Sequence, residues 1–294
     1  MSSLFTGSGV AIVTPFNVDG SVDYKAYEKL VGFHLDNETD ALVVCGTTGE
    51  SATLTDEENA SLVKFTVEMV NGKIPVIAGA GSNNTAHAVH LTKEAEKCGA
   101  DGILQVTPYY NKATQKGLIA HFTQIAESTS LPIILYTVPS RTNTNILPKT
   151  VYELSKVKNI VAVKEASGDV SQVAEIAKLC GPDFDIYSGN DDQIVPIMSL
   201  GGKGVISVVA NIMPKEVHDL CMEYLAGNVK KSLEIQLDLL DACKACFIEL
   251  SPGPVKAALE MMGYIKALYR SPICAVDDAN MEFVRQTLKN YKLI

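Results

Sequence analysis

Eight short apolar, mostly β-branched runs, each followed by a longer amphipathic segment, constrain this 294-residue chain more than any other feature. The runs predict strands over Gly9–Val13, Ala41–Val44, Pro75–Ala78, Gly102–Val106, Pro132–Tyr136, Ile160–Lys164, Asp185–Tyr187 and Gly204–Val208. None alternates cleanly between apolar and polar, as parallel strands covered on both faces should not. The segments between them predict helices over 23–35, 55–70, 85–98, 115–128, 148–154, 170–179, 193–199 and 214–225. Thr55 stands as an N-cap before three acids, and Pro148 and Pro214 occupy the first turns of their helices. Eight βα units at steady spacing predict a closed (β/α)8 TIM barrel over residues 1–226 rather than an open doubly wound sheet. No GxGxxG follows the first strand, which removes the main support for a dinucleotide-binding fold. Residues 227–294 contain no strand pattern and predict a helical C-terminal domain, with helices over 229–250, 254–268 and 278–293.

Composition narrows the function classes. A formal charge of −9 argues against nucleic-acid binding, which needs clustered Lys and Arg, and 47% hydrophobic residues suffice for a large core. The most apolar window, Ile194–Met213, is interrupted by Pro196, Lys203 and three glycines, so no membrane span is expected. The N-terminus lacks the basic and apolar regions of a signal peptide, and cytoplasmic residence is the expectation. Seven irregularly spaced cysteines fit that compartment. Cys243 and Cys246 form a lone CxxC inside a helical pattern, read as structural thiols. His87 and His90 share a helix face with no third ligand evident in the sequence, and no metal site is expected.

Catalysis in such a barrel belongs at the C-terminal ends of the strands. Lys164 ends the apolar run Ile160-Val-Ala-Val-Lys. Desolvation there lowers a lysine pKa, and the neutral amine is what a carbonyl substrate needs to form a Schiff base. The structural alternative is an ion pair with Glu165 or an adjacent carboxylate, and neighbours on a strand face opposite sides, which argues against Glu165. Tyr136 ends the preceding strand, where its phenol can shuttle protons beside Lys164. Thr47 and Thr48, between glycines, offer hydroxyls and backbone N–H groups to a small anion. Arg141 has the bidentate geometry for a substrate carboxylate.

Five ordered motifs carry a family resemblance across nearly the whole chain: Gly46-Thr-Thr-Gly-Glu-Ser-Ala-Thr-Leu, Val106-Thr-Pro-Tyr-Tyr-Asn, Leu135-Tyr-Thr-Val-Pro-Ser-Arg-Thr, Val163-Lys-Glu-Ala-Ser-Gly and Gly204-Val-Ile-Ser-Val. The chain resembles the dihydrodipicolinate (4-hydroxy-tetrahydrodipicolinate) synthases of the pyruvate-dependent class I aldolase superfamily. The resemblance implies that Lys164 forms an imine with pyruvate, with no separate cofactor. It also implies that Tyr136, Thr47 and Tyr110 form a proton relay, Tyr110 reaching in from a neighbouring subunit. Thr48 would bind the pyruvate carboxylate, with Gly189 and Ile206 as backbone contributors to its pocket. Arg141 would receive the carboxylate of the second substrate, L-aspartate 4-semialdehyde, and the condensation product would lead toward diaminopimelate and lysine. Family members are commonly tetramers built as dimers of dimers.

The rival within the superfamily is a sialic-acid or sugar-acid lyase, which shares the lysine and tyrosine. Such lyases typically have serine where Thr47 stands and lack an arginine equivalent to Arg141. A non-enzymatic scaffold barrel would have lost Lys164 or the relay hydroxyls. In lysine-inhibited members of the family the effector sits near Ser51, Ala52, Asn83 and Tyr109. Asp56 and Asn59 stand where such members have histidines, and His87 replaces a glutamate, so weak or absent feedback inhibition is expected.

Overall fold

The computed structural model describes residues 3–294. Its strands are β1 Gly7–Ala11, β2 Ala41–Val44, β3 Val76–Gly79, β4 Gly102–Val106, β5 Ile133–Thr137, β6 Ile160–Glu165, β7 Asp185–Ser188 and β8 Gly204–Ser207. All pair in parallel and in chain order, and β8 closes on β1 to complete the barrel. The seam needs glycine. Gly204 has φ 146°, and a Cβ there would stand 1.9 Å from the Gly7 carbonyl oxygen.

Side-chain alternation separates two apolar layers. Inside the barrel lie Ala11, Val43, Ile77, Leu104, Ile134, Ala162, Tyr187 and Ile206, capped below by Phe5, whose ring stacks on Tyr187 at 4.3 Å. The outer faces of the strands pack against the surrounding helices in a second, larger cluster. Leu239, Ala242, Val255, Leu259, Val284 and Leu288 of the C-terminal segment belong to that same cluster. Helix 56–70 opens with the expected cap: Thr55 and Glu58 form a reciprocal capping box.

The departures from expectation are local. β1 starts two residues early because Gly7 pairs with Gly204 on β8, while Val13 turns at the mouth to donate to Asn211. The helix expected over 229–250 divides at Leu239 into 229–238 and 240–246. The next helix spans 253–261 and stops before Gly263, whose φ of 81° suits glycine. A one-turn helix, Pro139–Thr142, was not expected after β5. Residues this short carry no periodicity to read, and Pro139 fixes the first φ. No helix among the described residues is long and apolar enough to cross a membrane.

Candidate active site

The period of two along β6 decides which side chains reach the interior. Ala162, Lys164 and Ala166 face in, while Val163 and Glu165 face out. Glu165 is buried against the surrounding helices, accepting from Gln172 at 2.7 Å and from the Ser167 backbone at 3.2 Å, so it is no partner for Lys164. Lys164 is 5% exposed and lines a cavity of about 320 Å³ at the C-terminal mouth. Burial pushes its amine down to about 8; the Asp191 carboxylate opposes that shift and the Arg141 guanidinium adds to it. A substantial neutral fraction at mild alkaline pH follows, as a nucleophilic amine requires.

Tyr136 is the register partner of Lys164 on β5, and the Lys164 Nζ stands 4.3 Å from its ring centre. Burial raises the phenol, while Arg141 and the Thr47 side chain pull it back. Thr47 and Thr48 line the same cavity from the loop after β2, which is anchored by the Thr14 hydroxyl donating to the Gly49 carbonyl at 2.7 Å. Gly189, after β7, supplies room: a Cβ there would lie 3.1 Å from Lys164 Cε and 2.6 Å from Ala166 Cβ. Arg141 sits at the exposed rim on the short helix, with one guanidinium nitrogen 3.4 Å from the Ser251 carbonyl.

Ile206 is fully buried inside the barrel, so its side chain is no part of the cavity lining, where Val208 stands after β8; only its backbone is left for the expected contact. Tyr110 is 92% exposed at φ 70°, outside its own chain's cavity. Asp191, in the loop after β7, carries no motif that marks it in the sequence. It is fully buried, accepting from the Ser207 hydroxyl and from the backbone N–H groups of Val208 at 3.0 Å and Val209 at 3.3 Å. Burial raises its own carboxyl, and in the ionised form it favours a cation on Lys164. Only the convergence of the β7 and β8 loops gives it that role, and no local motif announces it.

A second cavity, about 410 Å³, adjoins the first and shares Thr47, Val138, Arg141 and Ser251 with it. It gathers Ser51, Ala52, Asp56, Asn59, His87 and Tyr109. Asp56 pairs with both histidines of the neighbouring helix, its carboxylate 3.0 Å from His87 and 3.5 Å from His90. Cys243 and Cys246 are buried free thiols, and burial raises both, which suits a structural role.

The cavity thus holds a desolvated lysine, an adjacent phenol and two threonines, and the chain as a whole can be set beside known proteins. The sequence model of the Dihydrodipicolinate synthetase family matches residues 4–291. A 4-hydroxy-tetrahydrodipicolinate synthase of Caldicellulosiruptor saccharolyticus is 56% identical over 288 residues, covering 98% of this chain and 97% of that one. The crystal structure of dihydrodipicolinate synthase from Thermotoga maritima superposes with a TM-score of 0.97 at 46% identity, covering 99% of this chain and all of that one. A structure described as a monomeric dihydrodipicolinate synthase variant gives the same TM-score and identity over 99% of this chain and 98% of its own. Fold and sequence agree over nearly the full length, and the chain belongs to the dihydrodipicolinate synthetase family.

Proposed function

We propose that the protein is a carbon–carbon bond-forming lyase that condenses pyruvate with L-aspartate 4-semialdehyde, the 4-hydroxy-tetrahydrodipicolinate synthase reaction. The observation that carries this reading is Lys164, buried at the barrel mouth with a lowered pKa and its ammonium over Tyr136. The neutral amine adds to the ketone of pyruvate, and loss of water leaves an iminium on Lys164. Asp191 balances that positive charge. The iminium draws electrons from the adjacent methyl group, which loses a proton to become an enamine. The enamine carbon attacks the aldehyde, and the new alkoxide takes a proton from the relay. The amino group of the second substrate then displaces Lys164, cyclising the product and freeing the enzyme.

Within this reading Thr48, with backbone from Gly189 and Ile206, holds the pyruvate carboxylate, and Thr47 and Tyr136 move protons. Arg141 receives the carboxylate of the semialdehyde from its place at the rim. Tyr110 completes the relay of a second subunit, for which its exposure and left-handed backbone equip it. The assembly is a homo-oligomer, a dimer as the working unit and a tetramer as the complete one. The covalent imine makes a separate organic cofactor or metal unnecessary. Residues 1–226 act as the catalytic barrel and 227–294 as a helical domain packed on it.

Thr47 and Arg141 favour this partner over the sugar acid of the related lyases. Borohydride reduction in the presence of pyruvate tests the imine, and product formation with aspartate semialdehyde against cleavage of sialic acid tests the partner. Absence of a pyruvate adduct, or turnover of sialic acid alone, overturns the reading.

A further inference from the structure

The loop bearing Thr47 and Thr48 is held in an unfavourable backbone shape. Cys45 and Glu50, which bracket it, both take left-handed conformations at φ 56°, unusual for residues with a Cβ. Such conformations persist only where surrounding contacts impose them. The contacts here come from the far end of the chain. Lys256, on the helix Gly253–Met261, is completely buried and donates to Glu50 Oε1 at 2.6 Å and to the Thr14 carbonyl at 3.0 Å. Thr14 in turn donates to the Gly49 carbonyl. The second Glu50 oxygen faces the Arg270 backbone N–H at 3.4 Å. Lys256 and Arg270 both lie over the Phe16 ring, at 4.3 and 4.5 Å, and Arg270 is fixed by a two-point pair with Glu58 at 2.6 and 2.7 Å.

Among the described residues this is the ion pair with both side chains fully buried. Apolar residues of similar volume hold a core together as well as a buried ion pair does, so stability alone gives no reason for it. What the pair adds is direction. A charge held from two sides fixes where the Glu50 backbone lies, and hence the threonines one turn before it. We propose that Lys256 and Glu50 are positioning residues for pyruvate, setting the Thr47–Thr48 loop from the C-terminal segment without touching substrate.

The inference rests on the pyruvate-imine reading above. Its test compares the parent enzyme with the double variant Glu50→Gln/Lys256→Met, which leaves no unpaired buried charge. Thermal melting, borohydride trapping over a pyruvate series, and steady-state kinetics in both substrates are measured on the full chain. The expected result is a folded double variant whose KM for pyruvate rises about tenfold or more, with KM for aspartate semialdehyde changed by less than about threefold. A folded double variant with the parent's pyruvate KM overturns the proposal. So does an equal loss for both substrates, and so does failure of the double variant to fold, since the pair then serves the fold and not the loop. A parent protein that traps no pyruvate would instead overturn the functional reading, and this inference with it.

Discussion

Lys164 and Tyr136 are register partners on adjacent parallel strands, with the lysine ammonium 4.3 Å from the tyrosine ring centre. That pairing brings a neutralisable amine and a proton-carrying phenol to the same level of the barrel mouth.

Reduction with borohydride in pyruvate should add a reduced pyruvyl group to the Lys164 peptide, and Lys164→Ala should abolish the adduct. The amine titrates at about 8, so trapping should rise through that pH and level off above it. An adduct persisting undiminished in Lys164→Ala would remove the assignment.

The same lysine weakens the fold. Its pKa falls from 10.5 unfolded to about 8 folded, so the unfolded chain binds the extra proton between those values. The cost is full below pH 8, on the order of 3 kcal/mol, and vanishes as pH rises past 10.5. Lys164→Met should therefore melt several degrees higher than the parent at pH 7, with the gain shrinking toward pH 10. Equal melting temperatures at pH 7 would contradict this.

Arg141 and Asp191 shift the Lys164 amine in opposite directions. In Arg141→Ala the midpoint for imine trapping should rise, and in Asp191→Asn it should fall. Arg141→Ala should also lose about 1.5–3 kcal/mol of transition-state stabilisation toward aspartate semialdehyde, the scale of a charged hydrogen bond, while still trapping pyruvate. Parallel loss of both half-reactions would make Arg141 a structural residue.

The family resemblance implies that Tyr110, 92% exposed and outside its own cavity, serves a site shared between subunits. Mixing inactive Tyr110→Phe with inactive Lys164→Ala chains should restore activity, because one site of each mixed dimer then holds both groups. No recovery after verified subunit exchange counts against a crossed relay.

Feedback inhibition by lysine should be weak. The second cavity presents His87 where a carboxylate would neutralise an amino group, and Asp56, the nearest substitute, is already engaged by His87 at 3.0 Å and His90 at 3.5 Å. Loss of one such charge pairing lowers affinity, by less than it would in a desolvated site, because the His87 and Asp56 side chains are 42% and 41% exposed. Activity measured over a lysine series decides it: half-inhibition below millimolar concentration would show Asp56 free to serve.

The sequence by itself determined the barrel, because parallel strands buried on both faces must read as continuous apolar runs, and eight such runs alternate with eight amphipathic helices. It made Lys164 a candidate for the same reason, since a cation ending an apolar strand is desolvated at the barrel mouth, but its position alone left a structural ion pair open. The family motifs extended that to Tyr136, Thr47, Thr48 and Arg141, four residues that the fold then gathers at one cavity. The tertiary structure alone decided what depends on separate segments meeting. Asp191 acquires its charge-balancing place only where the β7 and β8 loops converge. Asp56 joins His87 and His90 only because neighbouring helices pack side by side. Glu50 and Lys256 stand 206 residues apart, and nothing around either announces the other. Local periodicity encodes burial and secondary structure, but a pairing between distant charges is fixed only when the closed barrel and the helices packed on it bring them to the same few ångströms.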